Sequence, residues 1–217
     1  CRNRQRKLQN AWNKWTSRTG VVHNYLKDVV MILSRPLPPS ELRTEYEVEV
    51  FFKWALQDYA IDPTGVAYTL YMCKNKRRIV NLIQHARLER YTPGEPIVLQ
   101  NSEPHPDEGL FTILQGTVDI VILPRASDQL TSLENAKKRG DTFGIKSILR
   151  HDGILADVLG VGAGFGELSA LTKVRRAATV VASIESCDVD VLVVPQQDLV
   201  DCLEKRRKLH SNAPQPA

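Results

Sequence analysis

Residues 164 to 179 read GFGELSALTKVRRAAT, and their types and spacing could together hold an anion. Gly162, Gly164 and Gly166 can take positive φ and let the backbone approach a ligand that any side chain would hold off. ELSALTK then has the composition of one or two helical turns, whose leading N–H groups lack intrahelical acceptors and carry partial positive charge. Arg176 is near enough in sequence to return to the same spot with a planar fork suited to phosphate. A carboxylate in such a cradle would repel the anion, so Glu167 must serve another group, and an ionised carboxylate is a strong acceptor for a sugar hydroxyl. These parts describe a pocket for a ribose phosphate. Small residues at Ala177 and Ala178 leave room against the backbone, while Leu168, Ala170 and Leu171 are expected to anchor the short helix to the core. On glycines and one arginine alone, the plainer reading stays open: a G-x-G strand turn with Arg176 on the surface.

The surrounding elements bear on the choice. From Leu88 onward, short β-branched and aliphatic runs (RLERYTPGEPIVLQ, LFTILQGTVDIVIL, ILADVLGV, AATVVASIES, CDVDVLVV) are separated by turn residues. Val118, Ile120 and Ile122 alternate with Asp119 and Val121, and Val189, Val191 and Val193 alternate with Asp188 and Asp190, as strands do. The expected class is therefore mainly β with flanking helices, an antiparallel sandwich or jelly roll. A dinucleotide-binding fold competes weakly, because the glycines lie late in an all-β region with no strand–helix–strand unit around them. A Walker loop is excluded by the lack of G-K-S/T.

Ahead of the strands the periodicity predicts helices. One carries Tyr25, Val29, Ile32 and Leu33 on a single side. Another opens at a capping box, Thr44 to Glu47, with Val48, Phe51, Phe52, Ala55 and Leu56 as its apolar stripe. A third pattern runs through Val66, Leu70 and KNKRR to about Leu82–Ala86. RPLPPS at 35–40 reads as an extended linker, which divides the chain into a basic N-terminal segment, 1–40, and a domain, 41–217. Within 2–18, Leu8, Ala11, Trp12 and Trp15 form the apolar face of a basic amphipathic helix, read either as packing on a neighbour or as a docking site for an acidic partner or membrane surface. Residues 124–153 are long, polar and weakly patterned between two strands, and are expected to be an insertion in a hairpin. A final helix is expected from Pro195 through Leu199, Leu203 and Leu209, followed by a disordered tail.

Composition narrows the function classes. With 42% apolar and 25% charged residues the chain is an ordinary globular one, and no apolar run approaches the roughly 20 residues of a spanning helix. The net charge is +4, but residues 1–40 hold eight Lys/Arg against one acid, so the basicity is local and the rest is net negative. Cys1, Cys73, Cys187 and Cys202 show no C-x-x-C pair and no neighbouring histidine cluster, which argues against a zinc site or disulfide framework and makes a reducing, cytoplasmic setting the expectation. The chain opens at Cys1 without a methionine or a secretory signal, as a trimmed or processed piece with flanking domains would. His23, His85, His105, His151 and His210 are isolated and no serine or cysteine has an evident base, so no catalytic residues, metal or cofactor are expected.

FGELSALTKVRRAATV, Phe165 to Val180, resembles the phosphate-binding cassette of cyclic nucleotide-binding domains, whose usual form is F-G-E-L/I-A-L-L/I-x-x-x-P-R-x-A-x-V. The match is ungapped at Phe165, Gly166, Glu167, Leu168, Leu171, Arg176, Ala178 and Val180. YTPGEPIVLQ and LFTILQGTVDIVI resemble the strands preceding that cassette, so the likeness runs from about Thr44 to Leu209. It implies a jelly-roll sandwich of the cyclic nucleotide-binding type, flanked by helices that shift when ligand binds. It also implies that Arg176 and the amides of Ser169 and Ala177 hold the cyclic phosphate, and that Glu167, with Gly166 nearby, takes the ribose 2′-hydroxyl. Phe165, Leu168 and Ala178 complete the implied ligand-binding set. Ala177 stands where cGMP-selective members often carry threonine, which leans the ligand toward cAMP, with cGMP the other candidate. Three departures stand out: Ser169 replaces alanine, Arg175 replaces proline and sets a second positive charge near the phosphate, and 124–153 is inserted.

Two functions compete on this basis. One is a non-catalytic regulatory module that binds cyclic nucleotide and relays it by helix rearrangement. The other is a degenerate domain of the same architecture that binds a nucleoside, or only protein through the Trp12/Trp15 helix. A nucleic-acid-binding regulator fits less well, because no helix-turn-helix follows the strands and the basic residues lie at the opposite end.

Overall fold

The computed structural model describes residues 25–35, 37–38, 41–61, 65–66, 69–70, 73, 75–124 and 128–203. The basic Trp12/Trp15 helix, Leu209 and the C-terminal tail lie outside the described residues.

Among the described residues, eight strands form two antiparallel sheets. They are β1 (Arg87–Tyr91), β2 (Pro96–Val98), β3 (Leu110–Gln115), β4 (Val118–Ile122), β5 (Ile154–Leu159), β6 (Gly164–Phe165), β7 (Thr179–Ala182) and β8 (Val189–Val194). One sheet runs β1-β8-β3-β6 and the other β2-β7-β4-β5, so strands from the two halves of the sequence interleave in jelly-roll order. Around them, among the described residues, stand α1 (Tyr25–Ser34), α2 (Glu45–Ile61), α3 (Lys76–His85), α4 (Asp128–Lys138), α5 (Thr142–Asp152), α6 (Glu167–Thr172) and α7 (Gln196–Leu203).

Period-two geometry explains why β8 is apolar almost throughout. Val189, Val191 and Val193 point into the sandwich against Phe111, Ile113, Phe165 and Val180, while Leu192 and Val194 face the helices and meet Phe51, Leu82 and Leu199. Asp190 is polar in sequence yet 1% exposed, and it is tolerated because Arg90 grips it with two bonds of 2.7 and 2.9 Å. The described part of the 124–153 insertion is helical and covers part of the outer face of the other sheet. Helices α4 and α5 seat Leu133, Ala136, Ile145 and Leu149 on Leu99, Val121, Leu123 and Val181. The first sheet is thus buried on both sides over much of its area, and the second is so at β4 and β7, while its edge strand β5 is exposed.

Local chemistry explains several departures from the periodic reading. The helical pattern through KNKRR is broken, because Asn75 is extended and its side chain accepts from the amides of Arg77 and Arg78, starting α3 afresh at Lys76. In β4 the sides alternate as read, with Val118 and Ile120 toward the sandwich and Val121 toward α4 and α5, but Ile122 at the strand's end is 40% exposed. In α2 the buried stripe is Val50, Phe51, Trp54 and Ala55, and Phe52 stands at the exposed edge. The capping box forms as read: the Thr44 amide donates to Glu47 Oε2 at 2.7 Å and the Glu47 amide to Thr44 Oγ1 at 3.3 Å.

Burial alone would raise the Glu47 carboxyl, but the Thr44 amide and hydroxyl and the charge of Arg35 outweigh it and hold the group below the ordinary glutamate value. A depressed carboxylate pKa adds stability above the unfolded value, and that stability is lost as pH falls through the folded one. Thr44→Ala should therefore lower unfolding free energy by about 1 kcal/mol at neutral pH. In urea titrations the difference between the two proteins should shrink as pH falls below the ordinary glutamate range.

Candidate functional site

Strand β6 carries the chain to the site. Phe165 pairs across from Phe111 in β3, and their rings lie parallel, 3° apart in plane, with centroids 5.0 Å apart. Gly166 follows at φ +89°, a left-handed conformation that caps α6 without any side-chain acceptor, so the first amides of α6 have no side-chain cap. The helix ends after Thr172, where Lys173 at φ +57° turns the chain back toward Arg176.

Arg176 is fixed at both its backbone and its guanidinium. Its amide donates to the Ser102 carbonyl at 2.9 Å, and its carbonyl accepts from the Asn101 amide at 2.8 Å. The side chain runs inward over the Phe111 ring, with its central carbon 5.7 Å from the ring centroid. Nη1 donates to the Gly166 carbonyl at 2.7 Å and Nη2 to the Glu108 carbonyl at 3.0 Å. The whole residue is 4% exposed, and the nearest ion-pair oxygen among the described residues, Glu108 Oε2, is 3.8 Å away. Burial lowers the guanidinium pKa, and the charges of Glu108 and then Glu167 pull it partly back. The reading of Arg176 as a mere surface residue is therefore overturned: it is a buried cation whose close partners are neutral carbonyls.

The other residues singled out in the sequence divide. Gly166 and Arg176 touch. Phe165 is buried beneath them, Ser169 is buried on α6, Ala177 is exposed and Ala178 half-buried on the chain just after Arg176. Glu167 is exposed at the first position of α6; among the described residues it makes no ion pair within 4 Å, although its charge reaches Arg176. Leu168 and Leu171 do not anchor α6, being 65% and 37% exposed. The anchor is Ala170, buried, with its carbonyl accepting from Gln196 Nε2 at the start of α7. Arg175 does not stand free as a second charge, because Nη1 bonds the Asn101 carbonyl at 3.0 Å and Nη2 the Glu103 carboxylate at 3.1 Å. Sequence reasoning missed Glu108 and Phe111. They precede Arg176 by more than sixty positions, and only the β3–β6 pairing brings them beneath it.

The site is also wired to α7. Gly109 lies so close that a Cβ there would come within 2.7 Å of the Gln196 backbone, and the Gln196 amide donates to the Pro106 carbonyl at 2.9 Å. The loop that carries Glu108 thus meets α7 at the residue that also holds α6.

No family model and no curated protein matches the sequence. Among solved structures, the chain is similar to the regulatory domain of Toxoplasma gondii PKA with cAMP, at 15% identity over 76% of this chain and 49% of that one, TM-score 0.47. It is similar to a regulatory subunit of a cAMP-independent protein kinase A from Trypanosoma cruzi bound to guanosine, at 17% identity over 75% and 47%, TM-score 0.45. It is also similar to the catabolite activator protein of Thermus thermophilus, at 17% identity over 66% and 54%, TM-score 0.42. The chain spans about half the length of these proteins.

A Cβ at Gly166 would lie 2.9 Å from Arg176 Nη1 and 2.9 Å from Phe111 Cδ2, in a backbone conformation that alanine disfavours. Gly166→Ala should lower stability by about 1–3 kcal/mol and shift the Arg176 guanidinium. Thermal denaturation and the NMR signals of the arginine side chain check both effects.

Proposed function

We propose that this chain is a regulatory module that binds a cyclic nucleotide, cAMP in preference to cGMP, at 165–169 and 176–178, and transmits binding to α7. The observation that supports it most is the setting of Arg176. A buried guanidinium bonded to neutral carbonyls leaves excess positive charge beside the Gly166 turn, where a phosphate oxygen would be stabilised. Glu167, exposed and without an ion pair within 4 Å among the described residues, is free to accept from a ribose hydroxyl. The exposed Ala177 adds no hydroxyl that could select a guanine amino group. An anion that draws on Arg176 competes with the Gly166 and Glu108 carbonyls. Both connect to Gln196, through α6 and through the 106–109 loop, so α7 would feel the change.

One observation favours a second reading. Arg176 is already held by two carbonyls with a carboxylate at 3.8 Å, an arrangement that can serve as a structural staple in a domain that takes an uncharged nucleoside or only a protein. The two readings differ in whether phosphate contributes to affinity.

Calorimetry of the full chain with cAMP, cGMP, adenosine and guanosine separates them. Heat with cAMP and little with the nucleosides is expected, and nucleoside binding without cAMP binding would overturn the phosphate assignment. Arg176→Ala should weaken cAMP binding by about 30- to 1,000-fold, the loss of charge-assisted bonds worth about 2–4 kcal/mol. It should also cost about 1–3 kcal/mol of stability, since two carbonyls lose their donors. Arg176→Lys, which keeps the charge and loses the fork, tests binding in a protein closer to native stability. Glu167→Ala should match the loss seen with 2′-deoxy-cAMP, and combining the two should add nothing.

A further inference from the structure

Residues 137–143 join the end of α4 to the start of α5, and none of them belongs to the ligand site. The turn is closed by its own backbone. The Gly140 amide donates to the Lys137 carbonyl at 3.0 Å, the Asp141 amide to the Ala136 carbonyl at 2.9 Å, and the Asp141 carboxylate caps α5 by accepting from the Gly144 amide at 2.8 Å. Gly140 takes φ +66°, and a Cβ there would meet nothing within 4 Å, so the apex opens into free space. Leu133, Ala136, Ile145 and Leu149 seat the hairpin on the sheet, but Phe143 is not part of that cluster. It is 84% exposed, more than any other large apolar side chain among the described residues. Lys137, Lys138 and Arg139, just ahead of it in the chain, are exposed too, and none makes an ion pair within 4 Å with a described residue. Lys146, by contrast, is engaged by the Pro93 carbonyl at 2.9 Å. Lysines in the last turn of a helix favour its carbonyl end, which accounts for Lys137 and Lys138 but not for a phenyl ring left in water.

We propose that the α4–α5 turn is a docking tip for an anionic lipid surface. Phe143 enters the boundary between headgroups and acyl chains, while Lys137, Lys138 and Arg139 stay at the level of the lipid phosphates and carboxylates. The charges are complementary: three cations without ion-pair partners among the described residues meet a negative surface, and the one acid within the turn, Asp141, is engaged by the α5 amide. Docking is peripheral, since no described helix is long and apolar enough to cross a membrane. Shape favours lipid over protein. Around Phe143 the turn residues Arg139, Gly140 and Thr142 are polar or lack a side chain, so there is no contiguous apolar patch to form the core of a protein interface. A fluid bilayer admits a single ring. Single-stranded nucleic acid is anionic as well, but it is held by successive rings along a groove, and this turn offers one ring at an apex. The sequence of residues 2–18 repeats the pairing, with six Lys/Arg and no acid around Trp12 and Trp15, and stable attachment to a bilayer takes two weak elements acting together. This inference does not rest on the function proposed above.

The test sediments the full chain with vesicles of phosphatidylcholine alone and of phosphatidylcholine mixed with phosphatidylserine. Binding to the mixed vesicles, weakened by salt, and little binding to phosphatidylcholine alone are expected. The triple variant Lys137→Gln/Lys138→Gln/Arg139→Gln should weaken binding to the mixed vesicles by about 10- to 100-fold at low salt. Phe143→Ser should weaken it by about tenfold. Both variants should keep the thermal midpoint of the parent protein, because the altered side chains are exposed. Absence of binding to the mixed vesicles, or equal binding to both kinds, would overturn the proposal. So would tip variants that bind as the parent does, a result that would assign attachment to residues 2–18 alone. A labelled single-stranded oligonucleotide is run alongside: tip-dependent binding to it without vesicle binding would make nucleic acid the occupant and overturn the lipid assignment. Calorimetry with cAMP should be unchanged in the triple variant, and failure of the parent protein to bind cAMP would count against the proposed function while leaving the vesicle result to stand or fall by itself.

Discussion

The site depends on one burial: a guanidinium taken out of water at Arg176 and left with two carbonyls and a ring as its nearest company. Removing a cation from water costs several kcal/mol, and Glu108 Oε2 at 3.8 Å offsets only part of it, so the surrounding structure must hold the group in place strongly enough to cover the rest. Here it does so through stiff parts. The Phe111–Phe165 stack is set by the β3–β6 pairing, and the Gly166 turn admits the guanidinium only because no Cβ is present. Arg176's own backbone is pinned to the 101–102 loop. None of these supports is a carboxylate in direct contact, which would have neutralised the cation and left it with nothing to offer an anion.

The jelly roll supplies that stiffness because the strands around the site are covered on their outer faces. The α1–α3 and α7 layer covers one sheet, and the α4–α5 hairpin covers β4 and β7 of the other, whose edge strand β5 is exposed. Burying a leucine or phenylalanine side chain contributes about 1.5–3 kcal/mol, and β8 alone sets five aliphatic side chains into two separate cores. The inserted hairpin is part of this scaffold. Leu99 and Leu123, which it covers, flank Gln100, whose side chain bonds both the carbonyl and the amide of Leu123. That bridge holds the strand end from which Asn101 and Ser102 reach Arg176.

What could be read from the sequence follows from the range of the forces involved. β-Branched runs and the Thr44–Glu47 box are local signals, and both became the elements they suggest. The Gly166–Arg176 relation spans ten residues and was legible because glycine, helix and arginine each act on their immediate chain. Glu108 and Phe111 were not legible, since their role exists only after strands distant in sequence pair. Leu168 and Leu171 misled because α6 is too short for a periodic apolar face; one turn is anchored by Ala170 alone, and its leucines remain outside. Ile122 misled because alternation tells which side of β4 a residue takes and not whether that side is covered there: Val118 and Ile120 are packed in the sandwich, while Ile122, the last residue of the strand, is 40% exposed.

The same geometry bears on how a ligand could act at a distance. A ligand shifts a conformational equilibrium only by its differential affinity for the two states, and 5.5 kcal/mol or so is needed to invert a 1:99 population. The Gly166 and Glu108 carbonyls are the groups whose bonds to Arg176 an anion would contest, and one charge-assisted bond is worth about 1.5–3 kcal/mol. Two such bonds bring the available energy to the scale of a full switch. Both carbonyls belong to segments that end on Gln196, the α6 turn by way of Ala170 and the 106–109 loop by way of Pro106. A single residue at the head of α7 would therefore register both exchanges. Further along that helix Asp198 is held by His85 and the Asp201 carbonyl by Arg78, so the contest at Arg176 would be decided against the strength of those two ties.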